Sequence, residues 1–241
     1  MSGRVGTPVD VLAFGAHPDD LEFGMGGTLV RMVREGLAVT EVVLTRGEAG
    51  TYGDPDIRVR EQTRAAEIIG CGLRFMDFRD GEVEATREGV VKIVEVIREL
   101  RPRICFAPVE RSPYTHRDRA AHPDHLATGK LVKRACRLAK FRKFITRDAE
   151  PHLVGSMFFY MVPKGVLPTF VVDFSDYYDD WIRAISAHES QITNLRGGDL
   201  RSYLEAYKIL YGSFIDRKYA DGFYSPEPLE IAPSALFGGS R

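Results

Sequence analysis

Two short polar motifs, far apart in the chain, carry the residue types that bind a metal and move protons. The first is His17-Pro18-Asp19-Asp20, which follows an apolar run over residues 9–14, and the second is His122-Pro123-Asp124-His125. In each motif two ligand-type side chains stand three residues apart, His17 with Asp20 and His122 with His125. Residues at that spacing share one face of a helical turn, so each motif can aim two side chains at a single point. Two histidines and a carboxylate, with water in the remaining position, make a catalytic zinc arrangement. Such a set leaves Asp19 and one histidine for proton work. The adjacent acids Asp19 and Asp20 also repel each other unless a cation or a shared proton offsets them, a second pointer to a metal.

A structural reading stands beside each motif. Asp19 or Asp20 could cap a helix N-terminus, with Pro18 forming the turn, and Pro123 suits a first helical position. Their joint occurrence, each after an expected strand, favours one shared metal site. The other histidines read as ordinary: His116 lies in a polar loop, His152 beside Pro151, and His188 toward a helix end, where a structural role ranks first.

The elements that must position these motifs alternate along the chain. Apolar runs over residues 9–14, 39–45, 73–78 and 103–108 read as buried strands, each ending in polar or glycine-rich sequence. Helical spacing fills the intervals over residues 23–34, 57–69 and 88–100. Strands alternating with helices in this way imply βαβ units and an α/β fold with a mainly parallel, doubly wound sheet. In such sheets ligands bind outside the carboxyl ends of the strands, which is where both motifs fall. Further strands are expected over residues 156–162 and 170–174, and helices over 177–191 and 201–210, with an extended or docked tail from Ser225. No repeat or low-complexity linker divides the chain, so residues 1–241 read as one domain.

Composition narrows the function classes. Of 241 residues, 44% are apolar and 28% charged, ordinary values for a soluble protein without a membrane span. Met1-Ser2-Gly3-Arg4 lacks the pattern of a secretory signal, so a cytoplasmic location is the default expectation. A net charge of -1 offers no global field for polyanions, which makes nucleic acid a poor partner. The basic residues between Lys130 and Arg147 read as a solvated helix face. Cys71, Cys105 and Cys136 show no CxxC pair, and a thiolate metal site is not expected.

The paired motifs, together with Gly47-Glu48-Ala49-Gly50-Thr51, the Arg58 and Glu61 spacing, residues 65–70 and Asp80-Gly81, resemble the PIG-L/LmbE family of zinc-dependent N-deacetylases. The likeness extends over residues 9–191 and is greatest to the bacillithiol-type deacetylases, which act on N-acetylglucosaminyl malate and related N-acetylglucosamine (GlcNAc) compounds. It implies a Rossmann-like three-layer fold, one Zn²⁺ per chain, a small-molecule GlcNAc conjugate as substrate, and a homo-oligomer, often a hexamer assembled from trimers. By position, it implies that His17, Asp20 and His125 hold the zinc and that Asp19 is the general base. It further implies that His122, as imidazolium, faces the carbonyl oxygen, with Asp124 holding its ring. Arg58 would clamp a polar end of the substrate, or else pair with Glu61 or Asp54, while Glu48 and Asp80 would bond sugar hydroxyls. Tyr114 has no secure counterpart, and Fe²⁺, Co²⁺ or Mn²⁺ could fill the same ligand set. Two competing classes are a metal-dependent phosphohydrolase and a non-catalytic sugar-binding module. The first lacks a phosphate-cradling motif near the corner, and the second has no need of Asp19.

Overall fold

The protein's computed structural model describes residues 7–114, 121–144 and 149–231. His116 and the tail beyond Ile231 lie outside the described residues. Strand β1 (Val11–Gly15) is buried along its whole length and forms the middle of a five-stranded sheet. Its neighbours are β2 (Val39–Val43) and β4 (Ile104–Pro108), with β3 (Gly72–Phe75) and β5 (Ser156–Tyr160) at the edges. The order is β3-β2-β1-β4-β5 and every pairing is parallel, a Rossmann-like α/β arrangement.

Alternation along β1 fixes the layers. Val11 and Ala13 face one apolar core with Leu21, Leu29 and Ile69 from α1 (Asp20–Arg34) and α2 (Pro55–Ile69). Leu12 and Phe14 face the other, with Val90, Ile97 and Leu131 from α3 (Arg87–Leu100) and α4 (Pro123–Leu138). Chain order reverses between β1 and β4, so a crevice opens at the carboxyl ends of these two strands. The chain after β1 carries the first motif, and the chain after β4 carries the second.

The carboxyl-terminal third departs from expectation in two places. The helix expected over residues 177–191 is a 3-10 turn (Ser175–Tyr177) followed by α5 (Tyr178–Ser186) and a short α6 (Glu189–Ile192). His188, at φ -85° and ψ 58°, is the non-helical residue between the two helices. After α7 (Leu200–Ser213) the chain forms an unexpected strand, β7 (Ala220–Phe223), antiparallel to β6 (Phe170–Asp173). Among the described residues no helix is long and apolar enough to cross a membrane. The basic stretch is engaged locally, with Lys133 on Glu110 and Arg134 donating to the Ala85 carbonyl.

This third shapes the start of α1. The helix bends at Met25, which has φ -145° and ψ 20°. Lys208, only 3% exposed, donates to the Phe23 and Gly24 carbonyls at 3.0 Å each and pairs with buried Asp221 at 2.5 Å. Asp221 in turn accepts from the Thr28 N–H and hydroxyl at 2.7 and 2.8 Å. Two glycines make room for aromatic rings at the bend. A Cβ on Gly24 would lie 2.3 Å from the Tyr160 ring, and one on Gly27 would lie 2.3 Å from the Phe174 ring. Gly27→Ala is therefore expected to destabilise the protein by about 1–3 kcal/mol through overpacking. Urea denaturation checks this, and an unchanged midpoint would count against the close approach.

Candidate metal and catalytic centre

The two motifs meet at the crevice. Ring centroids of His17 and His122 are 4.8 Å apart, those of His17 and His125 5.3 Å, and those of His122 and His125 5.5 Å. Donor atoms of His17, Asp20 and His125 all lie within 4.8 Å of one another. One carboxylate oxygen of Asp20, Oδ2, accepts from the backbone N–H groups of Ala16 and His17 at 2.8 and 2.9 Å. The other, Oδ1, faces His125 Nε2 at 2.9 Å. Asp20 is thereby clamped through one oxygen and offers the other. Its bonds run back to Ala16 and His17, and the Asp19 side chain makes no cap bond, so neither acid caps α1.

His17 is oriented by carboxylates on its far edge. Its Nε2 lies 3.0 Å from Asp80 Oδ1 and 3.3 Å from Asp124 Oδ2, while Nδ1 lies 3.7 Å from Asp20. A ring that donates through one nitrogen to a carboxylate and presents the other to a ligand set is the usual state of a metal-bound histidine. Burial opposes charge on His17, yet its hydrogen bonds to the Asp124, Asp20 and Asp80 carboxylates override it and push the pKa up to about 12. The pocket thus demands positive charge, and its two-nitrogen, one-oxygen donor set suits Zn²⁺. A second triplet, His17, His122 and Asp124, is equally compact. Two of its atoms are already engaged: His122 Nδ1 accepts from the Asp124 N–H at 3.2 Å, and Asp124 Oδ2 accepts from the Gly81 N–H at 2.7 Å.

Asp19 stands beside the first triplet. It is 8% exposed and holds φ 104°, a left-handed conformation that an L-residue with a side chain rarely adopts. Arg58 Nη2 donates to its Oδ2 at 3.1 Å, and its N–H donates to Gln62 Oε1 at 2.9 Å. Burial pushes the Asp19 carboxyl up to about 6 against the pull of Arg58.

Several expected roles change in place. Arg58 is buried, donating also to the Pro18 carbonyl at 2.7 Å and the Gly47 carbonyl at 3.3 Å, so it grips Asp19 and the corner rather than reaching out to a substrate. Gly47 has φ 70° and a Cβ there would lie 2.0 Å from Arg58 Nη1, which explains the glycine. Neither alternative partner of Arg58 is used: Glu61 accepts from Ser190, and Asp54 caps α2. Asp124 does not hold the His122 ring; its carboxylate goes to His17 and Gly81 instead. Burial, then the charges of His17 and His125, lower the His122 pKa, which weighs against the imidazolium expected from the resemblance. With Nδ1 accepting a backbone N–H, its proton sits on Nε2.

Glu48 and Asp80 tie two loops together rather than standing free for sugar hydroxyls. Glu48 accepts from the Asp80 and Arg46 N–H groups at 3.0 and 2.9 Å, and Asp80 accepts from the Ala49 N–H at 3.0 Å. Tyr114 donates to the Lys164 carbonyl at 2.7 Å, and His152 Nε2 lies 2.6 Å from the Pro102 carbonyl. His188 is fully buried with Nε2 3.2 Å from Glu22 Oε2, in keeping with a structural role. Glu22, Glu41 and Gln62, all inaccessible, were not singled out in the sequence; the one signal is an acid, Glu41, inside an apolar strand. A cavity of about 290 Å³ abuts His122 and His125 and is lined by Phe23, Met161, Tyr203, Tyr207 and Tyr211 among others. From this geometry His17→Ala is expected to lose most bound zinc in elemental analysis, and full zinc in that variant would overturn the ligand assignment.

The model of the family described as PIG-L: GlcNAc-PI de-N-acetylase matches residues 12–136. The diacetylchitobiose deacetylase of Thermococcus kodakarensis is 34% identical over 88% of this chain and 81% of its own. A probable N-acetyl-alpha-D-glucosaminyl L-malate deacetylase 2 of Bacillus anthracis is 31% identical over 75% of this chain and 80% of its own. The crystal structure of a conserved protein from Thermus thermophilus superposes with a TM-score of 0.84 at 35% identity, covering 93% of this chain and 98% of that one. The residues that converge at the sheet's switch point and the match across most of the chain agree: this chain belongs to the PIG-L family and is an N-deacetylase of the hydrolase class.

Proposed function

We propose that the chain removes the acetyl group from a GlcNAc conjugate, with Zn²⁺ held by His17, Asp20 and His125 and with Asp19 as the proton carrier. One observation supports this above the rest. A buried carboxylate with a raised pKa stands next to the ligand triplet without belonging to it. A divalent ion held by the triplet would supply Lewis acidity and lower the pKa of water from 15.7 to about 7. Asp19 accepts the proton as water attacks the acetyl carbonyl. Negative charge then grows on the carbonyl oxygen, and the Nε2–H of neutral His122 donates to it. Asp19 returns the proton to nitrogen, the C–N bond breaks, and acetate separates from the free amine. Arg58 keeps the Asp19 carboxylate oriented through both transfers.

The cavity beside His122 and His125 gives the substrate reading its finer part. Its wall sets four aromatic side chains, Phe23, Tyr203, Tyr207 and Tyr211, against two lysines, Lys208 paired with Asp221 and Lys164 over the Tyr203 ring, a balance that favours the apolar face of a neutral second sugar over a charged malate. That supports a GlcNAc disaccharide, the compound type in the name of the Thermococcus relative, ahead of the bacillithiol-type conjugate. Association of copies, as in the expected homo-oligomer, is supported by exposed Ile209, Leu210, Phe214 and Ile215 on and after α7.

Three substrates, GlcNAc, N,N′-diacetylchitobiose and N-acetylglucosaminyl malate, assayed for acetate release on zinc-loaded protein, test the reading. The disaccharide should give the highest kcat/KM, and no acetate from any of the three would sink it. Asp19→Ala should keep its zinc and lose about 10²–10⁴ in kcat. The proton-accepting form of Asp19 is the carboxylate, so kcat/KM should fall as pH drops through about 6, or lower once the ion's charge is present. A rate that stays flat down to pH about 4 would argue for another base.

A further inference from the structure

Asp19 is gripped twice by the same helix. Arg58 and Gln62, one turn apart on α2, hold its carboxylate and its backbone N–H respectively. The first contact belongs to the site already described, while the second leads into the protein interior. Gln62 has no accessible surface, and neither do Glu22 and Glu41 behind it. Its Nε2 donates to Glu22 Oε1 and to Glu41 Oε2, at 2.8 Å each. Both amide hydrogens thus have an acceptor, and Oε1 is left to face Asp19. Rotating the amide by half a turn would set its oxygen against two acids and its hydrogens against an N–H donor. The two acids therefore determine which way Gln62 points.

Two acids in one dry pocket are an expensive way to fill a core. An apolar pair of similar volume would be at least as stable. Among the described residues no lysine or arginine pairs with either; His188 lies against Glu22, and Gln62 joins both to Asp19. Burial, and after it the charge of Glu22, pushes the Glu41 carboxyl well above the usual range. At the other end of the chain of bonds stands a non-glycine residue at φ 104°, a conformation that persists only where surrounding contacts over-determine it. An unmatched Asp19 N–H would be a buried orphan donor.

We propose that Gln62 is a positioning residue for Asp19, its amide locked by the Glu22 and Glu41 pair so that Oε1 holds the Asp19 N–H and with it the left-handed backbone from which the carboxylate works. The inference rests on the reading of Asp19 as the proton carrier. Misplacing a reacting group by about an ångström slows turnover by up to about a hundredfold, with binding little affected.

The test is a double-mutant cycle on zinc-loaded protein with N,N′-diacetylchitobiose, scored as acetate release. Gln62→Leu should lower kcat by about tenfold to a hundredfold with KM and zinc content unchanged. In an Asp19→Ala background the same substitution should change the residual rate by less than about twofold, because no carboxylate remains to be positioned. Glu41→Leu should mimic Gln62→Leu, and Glu41→Gln, which still offers an oxygen to the Gln62 amide, should recover the rate to within about threefold. Gln62→Met takes the place of Gln62→Leu should the latter not fold. A crystal structure of the metal-free Gln62 variant supplies a readout independent of activity: Asp19 should leave φ 104°. Equal losses in both backgrounds, or Asp19 unmoved with kcat intact, would overturn the inference. Full turnover by Asp19→Ala would instead refute the role of Asp19 itself, so the two failures are told apart.

Discussion

An excess of negative charge at the mouth of the crevice governs this molecule. Asp20, Asp80 and Asp124 all approach His17, and Arg58, the one arginine among the described residues that pairs with an acid of the corner, is engaged with Asp19. Carboxylates cannot gather in a desolvated pocket unless something positive joins them. With the ring as the available acceptor, a proton on His17 serves, held so firmly that its pKa rises to about 12. A divalent cation held by His17, Asp20 and His125, as proposed, would answer the same demand with more charge and would leave the imidazole neutral, as ligation requires. The acids at the far edge of His17 then become orienting groups, and their attraction for positive charge becomes affinity for the ion.

The fold delivers these groups from separate strand ends and ties them there. Asp20 and Asp19 hang from the end of β1, Asp124 and both remaining histidines from the start of α4, and Asp80 from the chain after β3. Reciprocal bonds between Glu48 and Asp80, each accepting from the other's loop, stitch the β2 and β3 ends together beside His17. Arg58 adds the Pro18 and Gly47 carbonyls, so one buried guanidinium spans the ends of β1 and β2. Geometry that depends on four chain segments is rigid because each segment is bonded to another.

Much of this was legible in the sequence, for identifiable reasons. Four strands flanked by helical spacing announced a doubly wound sheet, because fully buried strands read as unbroken apolar runs. The three-residue spacing in each polar motif pointed to the candidate ion site, and the structure brings those side chains together. Strand β7 was hidden because Ala220, Asp221, Gly222 and Phe223 show no alternation and little β-propensity. The break at His188 was hidden by continuous helical spacing on both sides. Arg58, Glu48, Asp80 and Asp124 were recognised as belonging to the site, but their partners depend on which loops lie side by side. Gln62 and Glu22 look like surface helix residues in one dimension, and only the packing of α1 against α2 makes them interior.

The bend in α1 gives the carboxyl-terminal third a role beyond its own sheet. Tyr160, Phe174, Trp181 and Lys208 close over the first turns of that helix, through ring contacts, a bond from the Trp181 Nε1–H to the Glu22 carbonyl at 3.0 Å, and the ammonium on two carbonyls. The proposed ligands His17, Asp20 and His125 and the proposed proton carrier Asp19 all lie before residue 126, within the segment that matches the family. Yet a fragment confined to that segment would leave the turn bearing Asp19 and Asp20 with bare carbonyls and vacant ring sockets. Catalytic completeness in the list of residues and mechanical completeness in the molecule end at different points of the chain.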